Sequence, residues 1–387
     1  MLHIERLQAA LAELGQMAAQ QAQQRTDDVT TALAWLEAAP PSASLREVLT
    51  PLAQQGLWPG ALPATDAPLT ARATAPDVPP AGTVLAAVDG SQIFPDRHAA
   101  VLYYLIQVGG LVFRYNGQTP EQHTRENLYF REDDLIDARG NVIAQERVGM
   151  RRLIHEMRFL AELTEAEKTT QQPLLALTDG PLLWPYPERG SEDALALRDY
   201  LAALTRIREA GALPIGYVDR PGGRYLLDLL WAGQLKPGEI ADRLPDNPLQ
   251  RLSDRWLMAH TLAPGERSAW FTRGNASQQR HTQARHEVWF CYGNLGQPGF
   301  PVIARVEVPA WVAQRDGAAD TLHATLRHQA QVLNGYPYAL ARAHEIALVT
   351  TQDKLALEGA LQQQLMAAGI VPRPSEKARQ KSYLGKR

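Results

Sequence analysis

The feature that most constrains the fold of this sequence is an apolar run that ends in an Asp-Gly step, and it occurs twice. The two runs are Thr83–Ser91 (TVLAAVDGS) and Pro173–Pro181 (PLLALTDGP). A short apolar run bounded by turn residues is typical of a buried strand. We therefore expect Asp89 and Asp179 at the carboxyl ends of central strands, with Gly90 allowing the chain to turn sharply. Two such ends at one edge of a sheet would bring the two carboxylates together.

Paired carboxylates at a sheet edge favour a site for a hard divalent cation, which prefers oxygen ligands. The alternative is that each Asp-Gly step only makes the turn after a strand. One step alone favours the turn, whereas two steps after equally apolar strands make the metal site an equal alternative.

Composition excludes several classes of protein. The single cysteine, Cys291, rules out an intrachain disulfide and a cysteine-based zinc cluster, so a reducing cytoplasm is the expected location. No apolar run is long enough to span a bilayer, and the start lacks the layout of a signal peptide. With a net charge of −3 over 387 residues, any nucleic acid has to bind a local basic channel.

Shifts in composition divide the chain into four segments. Residues 1–38 have apolar side chains at helical spacing and predict one or two amphipathic helices. Residues 39–83 are rich in Ala and Pro and predict a linker or irregular loop. Residues 84–370 form the main domain, and residues 371–387 form a basic tail, which is either solvated or in contact with DNA or a partner. The apolar residues of the first segment are Ile4, Leu7, Leu11, Leu14 and Met17.

Within the main domain, strands and helices alternate in a way that predicts a mixed α/β sheet with at least one crossover. Two β-rich runs on either side of Gly109-Gly110 predict a hairpin. Residues 147–168 carry a broad apolar stripe and predict a helix. Glu156 lies near that stripe, where it is either an exposed helix former or a ligand that points at the sheet, and Glu162 is the competing candidate.

Taken together and in order, four pieces of sequence resemble the NurA family of nucleases over most of the stretch from Val84 to Ile370. They are the Val88-Asp89-Gly90-Ser91 run, the Arg152-x-x-x-Glu156 helix, the Leu177–Leu182 run, and Gly335-Tyr336-Pro337 followed by Ala343-His344. The resemblance implies an α/β, RNase H-like mixed sheet flanked by helices, here with an N-terminal helical extension. It also implies a 5′-to-3′ DNA nuclease that uses manganese, with magnesium as the alternative.

The same resemblance implies site residues and partners. It makes Asp89, Glu156 and Asp179 the acidic metal ligands and Tyr336 and His344 the remaining active-site residues. His344 is then a metal ligand or a proton carrier, whereas without the resemblance Tyr336 and His344 are more simply a helix-capping residue and a partly buried histidine. The implied partners are DNA, a second copy of the chain in a homodimer, and the hexameric ATPase HerA in DNA end resection and repair.

Two further expectations concern contacts outside the acidic centre. Basic and aromatic residues alternate after the catalytic half, which predicts a DNA channel with Trp270 or Trp289 stacking on bases. The basic residues are Arg220, Arg224, Arg273, Arg280 and Arg285. No Gly-x-x-x-x-Gly-Lys-Ser/Thr motif occurs, so translocation needs a partner ATPase. The N-terminal helices and the 39–83 segment are the expected contact surfaces, and a chain that starts near Ala81 is expected to stay folded.

Two other functions remain open at this stage. One is another RNase H-like nuclease, such as a junction resolvase or an RNA nuclease, because two-metal hydrolysis does not read the sugar. The other is a DNA-end adaptor without catalysis. Retention of all five candidate site residues argues against the adaptor.

Overall fold

The computed structural model describes residues 3–137, 139–168 and 172–371. The predicted basic tail lies outside the described residues except for its first residue. The chain divides into two compact units. The first unit contains the residues up to Pro79, Gly180–Leu183 and Gly216–Pro337, and the second contains Pro80–Asp179, Trp184–Ile215 and the chain from Tyr338 onward. These units do not follow the predicted segments, because each is assembled from separate stretches of the sequence.

The described residues form thirteen α-helices, with three short 3₁₀ segments at Ile4–Leu7, Pro237–Glu239 and Leu244–Asp246. The helices are α1 (Gln8–Glu37), α2 (Ser42–Gln54), α3 (Glu132–Leu135), α4 (Gln145–Ala166), α5 (Ser191–Glu209), α6 (Tyr225–Ala232), α7 (Ile240–Arg243), α8 (Asp254–Thr261), α9 (Ala276–Gln283), α10 (Ala310–Ala313), α11 (Ala318–Val332), α12 (Tyr338–Ala347) and α13 (Thr351–Ala367).

The described residues also form eleven strands. The strands are β1 (Ala61–Pro63), β2 (Arg72–Thr74), β3 (Val84–Ile93), β4 (Tyr104–Arg114), β5 (Glu121–Tyr129), β6 (Leu174–Asp179), β7 (Leu213–Asp219), β8 (Glu266–Ser268), β9 (Phe271–Arg273), β10 (Val288–Asn294) and β11 (Ile303–Pro309).

The second unit is built on a mixed sheet in the order β5-β4-β3-β6-β7, to which β7 contributes its first three residues. Strands β3, β4 and β5 form an antiparallel meander, and β6 then returns parallel to β3 after helix α4. Helix α4 packs on β3, β4 and β6, and α12 packs on β3 and β4. A three-strand meander followed by a parallel strand after a helix is the arrangement of an RNase H-like sheet. The predicted mixed α/β sheet flanked by helices is confirmed.

The predicted hairpin at Gly109-Gly110 is wrong, because β4 runs straight through both glycines. A Cβ on Gly109 would lie 2.4 Å from the backbone nitrogen of Ala347, and one on Gly110 would lie 2.7 Å from a methyl carbon of Leu163. These glycines therefore serve the close approach of α12 and α4 to the sheet. The hairpins lie instead at the two ends of β4, where it joins β3 and β5.

The first unit contains a separate core, in which α1 and α2 pack with α6, α8 and the strands β1, β9, β10 and β11. The 39–83 segment is therefore not the irregular linker that its proline content predicted. It contains α2, β1 and β2, and it buries Leu49 completely and Trp58 to 2% exposure. Pro41 stands at the amino end of α2, and the helix tolerates Pro51 near its carboxyl end. Apolar side chains at helical spacing thus decide the structure here more than proline does.

The N-terminal extension is one continuous helix, α1, rather than two. Its last part buries Val29, Ala32 and Leu36 in the first unit. Its first part is exposed, and so are the apolar residues that predicted it: Ile4, Leu7, Leu11, Leu14 and Met17. Among the described residues, none of the helices has the length and apolar character needed to cross a membrane.

Candidate active site

Asp89 and Asp179 occupy equivalent positions on neighbouring parallel strands of the second unit. The pairing of β3 with β6 ends at Val88 and Thr178, and each aspartate is the next residue. Neighbouring strands lie about 4.8 Å apart, so the two backbones are adjacent here. The prediction that Asp89 ends its strand is wrong, because β3 continues to Ile93 along β4. Only the parallel pairing with β6 ends here, at Val88.

Gly90 makes room for a carboxylate instead of making a turn. A Cβ on Gly90 would lie 2.5 Å from Oε1 of Glu156 and 2.9 Å from Cγ of Arg152. Both side chains belong to α4, which packs across β3. The missing side chain therefore lets Glu156 reach the strand beside Asp89. The predicted sharp turn at Gly90 is wrong, since the residue lies within β3.

Glu156 is the buried carboxylate of this group, with 3% exposure. Its pKa is raised to about 8, chiefly by burial; the charge of Arg152 opposes this shift, and the charges of Asp89 and Asp179 add to it. The three carboxylates are thus close enough to influence one another electrostatically. Perturbation of this kind, by burial and by like charges together, is characteristic of functional sites.

Glu162, the alternative to Glu156, lies in a different environment. Its side chain is 34% exposed and accepts a hydrogen bond of 2.7 Å from the guanidinium of Arg125 on β5. Glu156, in contrast, faces Gly90, and the charges of both aspartates contribute to its raised pKa. The geometry therefore favours Glu156 over Glu162 as the third acidic group.

His344, on helix α12, places its imidazole beside Asp89. Its Nδ1 lies 2.6 Å from Oδ2 of Asp89, and the other oxygen of Asp89 accepts a hydrogen bond of 2.7 Å from the amide of Gly90. Helix α12 is held to the strands by Ser91, which donates to the carbonyl of Ala347, and by Gln107, which donates to that of Ile346. His344 is 61% exposed, so its ring is accessible from solvent.

Asp179 is exposed and ends β6, as predicted. Gly180 follows with a φ of 107°, a region in which other residues are strained. The second Asp-Gly step is therefore a true turn.

Tyr336 belongs to the first unit. Its half-buried ring meets that of Tyr217 edge-on, at 5.6 Å between centroids, and the hydroxyl of Tyr217 donates to the carbonyl of Gly335. The structure thus brings four of the five predicted residues together in the second unit, namely Asp89, Glu156, Asp179 and His344, and describes Tyr336 with the first unit.

The five arginines predicted to bind DNA all lie in the first unit. Arg224 lies 3.4 Å from Asp228, and Arg273 places its guanidinium carbon 4.1 Å from the centre of the Tyr225 ring. Arg220 is 79% exposed, and Arg280 and Arg285 are exposed on α9 and just after it.

The two tryptophans proposed to stack on bases differ in exposure. Trp289 is only 7% exposed and donates to Glu287, so the expectation that it is available for stacking is wrong. Trp270 is half-buried.

The sequence did not predict the contacts of Arg152, nor that Gln92 and Tyr186 lie near the acidic group. Nη1 of Arg152 donates to Oε1 of Gln92 at 3.0 Å and to the carbonyl of Gly90 at 3.3 Å. Tyr186 has its pKa raised by burial, with a contribution from the charge of Glu156. The signal for Gln92 was available, because it lies two residues after Gly90 on one strand and strand side chains alternate with that period.

The donor set fits a divalent cation by its chemistry. It consists of carboxylate oxygens, and Oε1 of Glu156 is buried without a hydrogen-bond partner in the part of the chain that the structure describes. Within the same described residues, no three acidic, histidine or cysteine side chains are gathered closely enough to enclose an ion. The residues that would hold a metal are therefore present and adjacent, although they do not form a closed coordination shell.

This strand order and this acidic centre define a protein of RNase H-like fold with carboxylates from two parallel strands and a helix. A family model described as the NurA domain matches residues 83–349, which is more than half of the chain. The chain belongs to the NurA family, whose proteins are nucleases, and the resemblance read from the sequence is confirmed.

Similarity to solved structures is low. A crystal structure of NurA is 14% identical, with 75% of this chain and 90% of that chain covered at a TM-score of 0.36. One of NurA bound to dAMP and manganese is 13% identical, with 81% and 92% covered at a TM-score of 0.35. Drosophila Piwi is 10% identical, with 70% and 30% covered at a TM-score of 0.29. No curated protein matches the chain. TM-scores this low carry no argument about the site.

Proposed function

We propose that this chain is a metal-dependent deoxyribonuclease that degrades DNA in the 5′-to-3′ direction, with manganese as its metal and magnesium as the alternative. The observation that carries the proposal is the group formed by Asp89, Glu156 and Asp179, in which two aspartates directly after the paired residues of neighbouring parallel strands lie near a buried glutamate that faces Gly90. Membership of the NurA family supports the reaction class. The manganese named for the NurA crystal structure with dAMP supports the metal.

Each residue has a distinct role in this proposal. Asp89, Glu156 and Asp179 would hold the metal, which when bound supplies charge relief on the phosphate and a water of lowered pKa. His344 moves a proton through Nε2, because its Nδ1 is engaged by Asp89 at 2.6 Å. For Tyr336 the family resemblance alone supports a role, which is to hydrogen-bond a phosphate or to position a ligand.

DNA binding is proposed for Arg220, Arg224, Arg273, Arg280 and Arg285. Arg220, Arg280 and Arg285 have the exposure that phosphate contacts require. Affinity should fall as salt rises, because bound phosphates release counterions. If the paired substitution Arg280→Ala and Arg285→Ala leaves affinity and its salt dependence unchanged, the DNA path lies elsewhere.

For assembly, we propose a homodimer that acts in the cytoplasm with a HerA-type ATPase in DNA end resection and double-strand break repair. The support is the lack of a phosphate-binding loop in the sequence and the exposed apolar residues of α1. Truncation near Ala81 would remove Leu36, Leu49 and Trp58 from the first core, so we no longer expect that chain to fold. Replacing Leu7, Leu11 and Leu14 by Ser is the sharper test of dimerisation and of stimulation by the ATPase.

In the decisive experiment, the purified protein is incubated with end-labelled single- and double-stranded DNA and RNA. Each substrate is tested with manganese, with magnesium and with EDTA. We expect DNA to be cleaved from its 5′ end with manganese and to survive in EDTA. Cleavage of RNA alone would assign the fold to an RNA nuclease. Binding of DNA ends without cleavage under any metal would assign it to an adaptor and overturn the proposal.

A further inference from the structure

We propose that Arg152 is a positioning residue that holds the carboxylate of Glu156 at strand β3 for metal binding. The inference rests on the proposed function and deepens it, since it concerns how the acidic centre is kept in place. It begins from an unusual arrangement, in which a guanidinium lies at the edge of a group of three carboxylates and is fixed to the strand that carries one of them.

The guanidinium is anchored to β3 at two points. Nη1 donates to the carbonyl oxygen of Gly90 at 3.3 Å and to the side-chain oxygen of Gln92 at 3.0 Å. The stem of Arg152 passes directly over Gly90, where a Cβ would lie 2.9 Å from Cγ and 3.1 Å from Cδ. Only glycine at position 90 leaves space for this side chain to lie flat on the strand.

Arg152 lies close to the carboxylate of Glu156 but does not occupy the lone pairs of the nearer oxygen with a hydrogen bond. Nε of Arg152 lies 3.0 Å from Oε1 of Glu156, but neither atom makes a hydrogen bond among the described residues, because the pair is not aligned for one. The guanidinium therefore supplies a positive charge that attracts the ionised carboxylate, which is the form that binds a metal, to the strand. The oxygen itself remains available to a cation.

Helical spacing makes the arrangement rigid. Arg152 and Glu156 are four residues apart on α4 and therefore lie on the same face of the helix. The helix supplies the carboxylate, the strand fixes the arginine, and the arginine links the two. Asp89 lies on the same strand one residue before Gly90, so the anchor of Arg152 and the first ligand share one backbone.

The test measures manganese binding by the metal-free protein, from the electron paramagnetic resonance signal of the free ion, together with thermal unfolding in EDTA. Arg152→Gln removes the charge, and Arg152→Lys keeps it without the planar fork. We expect Arg152→Gln to weaken manganese binding at least tenfold and to lower DNA cleavage, and Arg152→Lys to recover part of both. Arg158→Gln is the matched control, because Arg158 lies on α4 but pairs with Asp199 at 2.7 Å, and it should bind manganese like the wild type.

Manganese binding by folded Arg152→Gln that equals or exceeds that of the wild type would overturn the inference, because the guanidinium would then be a bystander or a competitor of the metal. Should Arg152→Gln fail to fold, Gln92→Ala removes only one anchor and should weaken binding a few-fold, and an unchanged affinity would again overturn it. A wild type that binds no manganese would instead remove the proposed function itself. The two failures are therefore distinguishable.

Discussion

At the first Asp-Gly step the strand continues for three residues beyond Gly90, whereas at the second the chain turns away immediately at Gly180. Gly180 has a φ of 107° and open space around its Cβ position. Gly90 has ordinary strand geometry and no space at all, because Glu156 and Arg152 lie against it. The same dipeptide thus meets two different physical requirements, one of backbone conformation and one of close approach.

Two carboxylates can therefore lie on adjacent strands without sharing a local backbone structure. Both steps present an aspartate next to the end of the parallel pairing between β3 and β6. What differs is how far each aspartate is exposed to solvent. Asp89 is bound by His344 and by the amide of Gly90, whereas Asp179 is exposed at a strand end.

The largest expected effect tests whether the two aspartates are equivalent. Asp89→Ala and Asp179→Ala should each lower the rate of DNA cleavage by roughly 10⁴-fold or more, as for other groups that act as a unit. Both variants should stay folded, because the side chains serve the edge of the sheet and not the core. Single-turnover cleavage and circular dichroism measure the two quantities.

Asp199→Ala is the control for this pair, since Asp199 is a half-exposed acid that binds Arg158 on the surface. It should keep the activity of the wild type. Activity retained by one of the two site variants alone would show that the steps are not equivalent, and activity retained by both would remove the acidic centre as the active site.

A smaller effect should separate the two glycines. In Gly90→Ala the new methyl would displace the end of Glu156, so we expect a loss of activity of about 10- to 100-fold with little change in stability. In Gly180→Ala no neighbour is displaced, but a left-handed backbone is strained, so we expect a loss of about 1–3 kcal/mol in the free energy of unfolding. Urea denaturation and specific activity, measured on both variants, give the two patterns. If Gly90→Ala instead loses stability and Gly180→Ala loses activity, then Gly90 makes the turn and Gly180 serves the close approach, which contradicts our assignment.

Much of the fold was predictable because it depends on local periodicity. The helix at residues 147–168 was predicted within two residues of its observed ends, since apolar stripes specify helices directly. What failed depended on tertiary contacts. Gly109 and Gly110 predicted a hairpin because no feature of the neighbouring sequence indicates that α12 and α4 pack on these glycines.

The site was predictable in its residues and not in its geometry. Asp89 and Asp179 were indicated by strand ends, but the choice between Glu156 and Glu162 depends on which face of α4 meets β3. Periodicity placed Glu156 only near that face. The anchoring of Arg152 by Gln92 could not be read from the sequence, because it requires the register of α4 on the strand.

The last expected effect is a dependence of stability on pH in the metal-free protein, and it belongs to the first Asp-Gly step because Glu156 lies against Gly90. The pKa of Glu156 is raised from 4.5 to about 8, chiefly by burial. Between these two values the unfolded chain is ionised at this position while the folded chain keeps its proton. The folded state then binds more protons than the unfolded state, so stability falls as pH rises from about 4.5 to about 8. The full penalty, on the order of a few kcal/mol, is reached above that window.

Glu156→Gln cannot ionise and should lose this dependence. It should therefore unfold at a higher urea concentration than the wild type at pH 8 in EDTA, and at a similar concentration near pH 4.5. Glu162→Gln serves as the control, because Glu162 is paired with Arg125 at the surface and should keep the wild-type slope. A slope that disappears in Glu162→Gln and persists in Glu156→Gln would show that α4 presents the other carboxylate to the strand, and the role assigned to Gly90 would then be wrong as well.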